Sequence, residues 1–120
     1  MNLSRTPKIG SLKNRSEIQV LLASGEKVYT KYGLIFLKDL SDSSKTNIAI
    51  LVKKKTGNAV HRNYVKRLIR NFIRNHAEKI CFKNRIAFLY LFQGKIEYNN
   101  LEEAYLKAFI KYEENLSNSH

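Results

Sequence analysis

Between Lys53 and Asn75 the chain carries eight basic residues (Lys53, Lys54, Lys55, Arg62, Lys66, Arg67, Arg70 and Arg74) and no Asp or Glu. Guanidinium and ammonium groups at this density suit one kind of chemistry, the neutralisation of phosphates. Asn58 and Asn63 stand among them as neutral donors and acceptors, suited to a 2′-hydroxyl or a base edge. From Asn58 onward the stretch has a helical period. At about 100° per residue with Val60 at zero, Tyr64, Leu68, Phe72, Val65 and Ile69 fall within roughly 180° of arc. Arg62, Lys66, Arg70, Arg74 and Arg67 take the opposite arc. The pattern predicts a helix with one face on a core and the other presenting cations to solvent. Like charges on one helical face repel by a few tenths of a kcal/mol per close pair, and an anionic partner relieves that. A merely solvated basic face usually mixes Glu with Lys; this one does not, and it reads as a polyanion-binding face.

Other chemistry is sparse. The chain shows no nucleophile–base pair of recognisable spacing, no Gly-rich phosphate loop and no acidic pair in the basic region. Carboxylates that hold catalytic Mg²⁺ in protein nucleases are missing from the stretch expected to touch nucleic acid, so no catalytic residue is assigned. His61 falls in the middle of the apolar arc and reads as a packed histidine. His76 lies near the end of the same helix, where the C-terminal dipole favours it. Three His and one Cys offer no metal-ligand spacing. Cys81, being alone, forms no internal disulfide and reads as an inert, half-buried thiol. Gly57 permits tight or left-handed backbone, either for close approach to RNA or as a plain loop residue.

The whole chain sets the frame. Its 120 residues suit one domain, 1–120, with a modest core. The formal charge is +12, from 22 basic and 10 acidic residues. Glu97, Glu102, Glu103, Glu113 and Glu114 lie near the C-terminus, so the positive field is concentrated mid-chain. Nucleic acid is the first-choice partner and an anionic membrane surface the second. The N-terminus has no apolar run and no segment is long enough to span a bilayer, so a soluble, cytoplasmic protein is expected.

Residues 1–12 read as a mobile arm. Asn14 and Glu17 have capping-box spacing before a short helix with Ile18, Leu21 and Leu22 on its apolar side and Gly25 at C′. Val28 to Leu37 reads as one strand, with Leu34 and Phe36 on one face and Ile35 and Leu37 on the other. Asp39 to Thr46 is a loop. Ile48 to Val52 is an apolar run suited to a strand covered on both sides. Arg85 to Phe92 is the third strand. A last helix begins near Asn100, with Glu103 at capping-box spacing and Leu101, Tyr105, Ala108, Phe109 and Tyr112 as its stripe; residues 117–120 are expected to fray. The order is α-β-β-α-β-α, and helices gathered on one side of a small mixed sheet make an α+β, two-layer α/β sandwich. Tyr29, Tyr32, Phe36, Phe88 and Tyr90 lie on the candidate strands, where a ring can stack an unpaired base, but for any single one of them core packing is the stronger reading.

From Lys53 to Arg70 the chain resembles the protein subunit of bacterial ribonuclease P. That family carries a signature like S-K-K-x-G-N-A-V-x-R-N-R-x-K-R-x-x-R. Gly57-Asn58-Ala59-Val60, Arg62-Asn63 and Lys66-Arg67 match it. Leu12-Lys13-Asn14, Gly25 and the strand around Phe36 extend the similarity from about Leu12 to Tyr112. The resemblance implies a left-handed β-α-β crossover, against the general right-handed rule. It implies a subunit that helps a catalytic RNA remove the 5′ leader of precursor tRNA, with hydrolysis and Mg²⁺ belonging to the RNA and its substrate. Lys53, Lys54, Lys55, Asn58, Arg62, Asn63, Lys66, Arg67 and Arg70 would face that RNA. Ile18, Leu22 and Phe36 would line a cleft for the leader. Neither a membrane nor a small-molecule substrate is implied.

Two positions depart from the family pattern. Tyr64 replaces the signature's second arginine, and Ile18 and Leu22 are aliphatic where the family often has Phe. Two other readings fit the residues without the resemblance: a structural RNA-binding protein of ribosomal type, and a DNA-binding regulator. The second is disfavoured because no short helix and turn precede the basic helix.

Overall fold

The computed structural model describes residues 9–39, 45–81 and 83–117. Five strands form one mixed sheet: β1 (Ile9–Ser11), β2 (Glu26–Thr30), β3 (Gly33–Lys38), β4 (Thr46–Val52) and β5 (Arg85–Tyr90). Their spatial order is β1-β4-β5-β3-β2. β4 is parallel to β1 and β5, and β3 is antiparallel to β5 and β2. Four helices join them: α1 (Arg15–Ser24), α2 (Ala59–Asn75), α3 (Ala77–Ile80) and α4 (Tyr98–Ser117).

Alternation along the strands divides the apolar residues between two cores. Ile35, Leu37, Ile48, Ile86, Phe88 and Tyr90 face α2 and α4 and build the larger one. Phe36, Ala49 and Ala87 face α1 and close a smaller core with Leu12 and Leu21. The predicted parity of residues 34–37 is therefore observed. The α+β class holds, but the helices are split between both faces of the sheet, because the apolar run of β4 must be covered on both sides. The larger core centres on Phe72. Its ring meets Phe88, Tyr105 and Phe109 at centroid distances of 6.3, 5.1 and 6.4 Å. The stripe read on the last helix is buried as expected.

Several boundaries differ from the pattern reading. The stretch 28–37 is a hairpin, not one strand. Gly33 turns it with φ +152, and a Cβ there would lie 2.0 Å from the Leu89 carbonyl oxygen. Ile9–Ser11 is a strand beside β4 and Leu12 is buried, so residues 9–12 are not an arm; residues 1–8 and 118–120 lie outside the described residues. Residues 40–44 of the expected loop do as well, and Thr46 already belongs to β4. Gly25 ends α1 in extended backbone, φ −73, with no left-handed cap. It is glycine for space, since a Cβ would lie 2.6 Å from the Leu21 carbonyl oxygen. The last helix starts at Tyr98, and the Leu101 amide donates to the Glu97 carbonyl, so Glu103 closes no capping box.

Two outcomes test this packing. Phe72→Ala is expected to cost about 3–5 kcal/mol of unfolding free energy, and Tyr29→Ala, at a side chain 74% exposed, less than about 0.5. Denaturant titration checks both, and equal losses would contradict the assigned core. Tyr90 is fully buried, its hydroxyl has no partner among the described residues, and burial, with Tyr32 nearby, pushes its pKa up from 10.0 to about 12. Because the folded state resists ionising this phenol, stability falls as pH rises from 10.0 to about 12. Below pH 10.0 the unpartnered hydroxyl is neutral in both states and only costs its desolvation. Tyr90→Phe is therefore expected to be neutral or stabilising at pH 7 and to flatten the stability loss between those pH values. A pH series of unfolding midpoints measures it; an unchanged alkaline slope would contradict it.

Candidate nucleic-acid interface

β4 runs out of the core into Lys53 and then into a single 3-10 turn, Lys54–Thr56, so the three lysines stand exposed at the end of a central strand. The Thr56 hydroxyl donates back to the Lys53 carbonyl at 2.8 Å and fixes the turn. Gly57 follows with φ +158, and a Cβ there would lie 2.8 Å from His61 Cδ2. This supplies a structural reason for the glycine. Asn58 caps α2: its Oδ1 accepts from the His61 amide at 2.8 Å. Its side-chain oxygen is thus engaged inside the protein, leaving its amide nitrogen for a partner.

Along α2, Asn63, Arg67, Arg70 and Arg74 are exposed, and Arg62 and Lys66 are half-buried. The buried stripe is Val65, Leu68, Ile69, Phe72 and Ile73. It centres on about 150° of the wheel set at Val60, not on about 90° as the pattern suggested. Nothing from Ala59 to Tyr64 is fully buried, so the first turns of α2 project beyond the core. Val60 is 78% exposed and Tyr64 38%, against the expectation that both pack inside. Arg62 falls on the edge of the true buried arc, and its Nε has no partner among the described residues. His61 is partly buried beside the Tyr64 ring, as expected of a packed histidine.

The described residues do not neutralise the ridge from within. Among the described residues, no ion pair joins Lys53, Lys54, Lys55, Arg62, Lys66, Arg67, Arg70 or Arg74 to a carboxylate. Three carboxylates are engaged elsewhere. Glu102 Oε2 lies 2.8 Å from His76 Nε2, which gives that histidine a specific partner in place of a helix dipole alone. Asn14 caps α1 as expected, its Oδ1 accepting from the Glu17 amide at 3.1 Å, while the Glu17 carboxylate accepts from Arg85 at 3.3 Å. Glu26 accepts from the Tyr112 hydroxyl at 2.6 Å. Cys81 is half-buried and burial pushes its thiol up, consistent with an inert group. Among the described residues no group of three or more His, Cys, Asp or Glu is placed to hold a metal, and no helix is long and apolar enough to cross a membrane.

A cavity of about 350 Å³ adjoins the ridge, lined by Leu22 of α1, Leu51 and Leu89 of the sheet, and Lys53 and Lys66. Leu22 was expected in such a cleft, and Ile18 lies one turn before it on the same side of α1. Phe36 is not available there: it is 5% exposed, buried with Leu21. In the sheet it pairs with Ala87, which pairs with Ala49, so one ring fills the space beside two methyl groups. The reading missed Leu51 and Leu89. Their parity with Phe36 was the only signal, and a continuous apolar run hides parity.

The Ribonuclease P family model matches residues 6–113, which include the ridge, the cavity and both cores. The chain belongs to the ribonuclease P protein family. It is 37% identical over 76 residues to the ribonuclease P protein component of Citrifermentans bemidjiense, covering 63% of this chain and 65% of that relative. With the protein component of Ligilactobacillus salivarius it shares 28% identity over 102 residues, 83% of this chain and 88% of the relative. The chain thus spans about two thirds of the first relative. In fold it is similar to the ribonuclease P protein of Staphylococcus aureus, with TM-score 0.76, 21% identity, and 85% and 94% of the two chains covered. The Thermotoga maritima protein gives TM-score 0.71 at 20% identity over 84% and 96%.

The cap bond makes a local prediction for this family member. Asn58→Ala is expected to lower unfolding free energy by about 1 kcal/mol, and Asn58→Asp or Asn58→Ser by clearly less. Equal stability of Asn58→Ala and wild type in denaturant would show that the cap contributes nothing.

Proposed function

We propose that this chain is the protein subunit of a ribonuclease P ribonucleoprotein and promotes removal of the 5′ leader from precursor tRNA. The observation that carries this reading is the cationic ridge of α2, without an ion-pair partner among the described residues, in a chain of this family. Lys53, Lys54, Lys55, Asn58, Arg62, Asn63, Lys66, Arg67 and Arg70 contact the catalytic RNA, chiefly through phosphates. The cavity between α1, the sheet and α2 takes the single-stranded leader. Leu22, with Ile18 beside it, forms its apolar wall; Lys53 and Lys66 meet the leader's phosphates. Phe36 supports this wall from beneath. Lys53 and Lys66 belong to both surfaces, so leader and catalytic RNA are held side by side.

The polypeptide contributes position and charge. Its cations reduce the repulsion between three polyanionic elements: leader, precursor body and catalytic RNA. Mg²⁺ supplies Lewis-acid chemistry when bound to the RNA and substrate, and no protein residue is assigned to it. Reconstitution with ribonuclease P RNA and a precursor tRNA is expected to increase cleavage at low Mg²⁺; no gain would overturn the reading. Replacing Arg62, Lys66 and Arg67 together by Ala is expected to weaken RNA binding and to lower the slope of log K against log salt by about 2–3. An unchanged slope would remove the ridge from the interface. Copurification with ribosomal RNA alone would instead favour a structural RNA-binding role.

A further inference from the structure

Six large apolar side chains are exposed among the described residues, and two of them, Val60 and Tyr64, lie within the cationic stretch. They are four residues apart on α2 and so adjoin one another on the same helical face. The Tyr64 hydroxyl donates to the Ile96 carbonyl at 3.2 Å, which ties the far edge of the ring to the connection between β5 and α4. The His61 ring stands on another side, 6.4 Å between centroids and tilted by 38°. The ring is thus held in place while 38% of the residue stays open to solvent.

This arrangement limits what Tyr64 has to offer. Its only O–H is committed to the protein, so recognition falls to the ring face. Asn63 is next to it in the chain, and Arg67 lies one turn on, exposed and without an ion-pair partner among the described residues. A flat apolar surface flanked by a free cation matches a nucleotide, which has an aromatic base joined to an anionic phosphate. At this position the family signature has a guanidinium, and here the hydroxyl tether pre-orders a ring instead.

We propose that Tyr64, bedded beside Val60, is a stacking platform for an unpaired base of the partner RNA, with Arg67 holding an adjacent phosphate. The inference rests on the RNA-binding reading above and adds a base contact to it. Because the ring offers no free O–H, the contact is tolerant of base identity. Relative to a chain with arginine here, one salt-dependent phosphate contact is exchanged for a salt-independent one.

Binding of a ribonuclease P RNA transcript, titrated at several salt concentrations, tests it. Tyr64→Ala and Tyr64→Leu are expected to weaken binding about 5- to 100-fold with the salt slope unchanged. Tyr64→Phe and Tyr64→Trp keep a ring face and are expected to stay within about 3-fold of wild type. Tyr64→Arg is expected to steepen the slope by about 0.7–0.9, one added phosphate contact. If wild type binds and Tyr64→Leu binds equally well, the platform is overturned while the RNA-binding function stands. If Tyr64→Phe and Tyr64→Trp lose as much as Tyr64→Ala, the tether to Ile96 matters and stacking is overturned. If wild type itself does not bind the RNA, the functional reading fails first. Thermal unfolding of each variant separates a lost contact from a lost fold, and Tyr64→Trp against Tyr64→Leu decides the matter even if the alanine variant is unstable.

Discussion

A row of like charges can stay on a helix only if something stronger holds the helix down. Here that is the stripe Val65, Leu68, Ile69, Phe72 and Ile73, buried against the sheet and α4. Burying each such side chain contributes about 1.5–3 kcal/mol. Repulsion between neighbouring cations costs only a few tenths per pair. Packing therefore exceeds repulsion by roughly an order of magnitude, and the ridge needs no internal carboxylates to neutralise it. Glu17, Glu26 and Glu102 are engaged with other partners, and among the described residues no carboxylate pairs with the cations of α2.

The same packing fixes where the cavity lies. β4 is covered on both faces: Ile48, Ile50 and Val52 turn toward α2, and Ala49 and Leu51 toward α1. It delivers Lys53 to the boundary between the two layers, and the short turn that follows starts α2. Lys53 and Lys66 consequently stand at the rim of an apolar cleft as well as on the basic surface. One strand and one turn thereby join the basic surface to the cleft without a dedicated linker.

Sequence identity to the compared structures is only about one fifth, yet the sheet and its helices superpose over most of both chains. A fold survives such divergence because a core tolerates apolar exchange when volume and patterning are kept. Surface positions such as Tyr64 have no such constraint. That freedom allows one member of the family to carry a tethered ring where the signature has a cation.

Much was legible in the residues themselves. The cationic stretch without acids, the helical period from Asn58, the Asn58 cap, the opposed parity of Phe36 and Leu37 and the stripe of α4 all depend on near-neighbour chemistry. Spacing along one element is enough to reveal such features. Three features could not be read this way. Residues 28–37 turn at Gly33 into a hairpin whose second strand, β3, pairs with β5, a partner far away in sequence that crowds Gly33 itself. Phe36 is covered because α1 returns to that face, so an aromatic expected to line the cleft becomes core. Tyr64 and Val60 are exposed because the first turns of α2 extend past the core. A helical wheel gives the angles between side chains, but it does not say where along its length the helix leaves the surface it packs on. Composition and local period decided which groups would be charged, apolar or capping, while only the three-dimensional meeting of α1, α2 and the sheet decided which of them remained open to a partner.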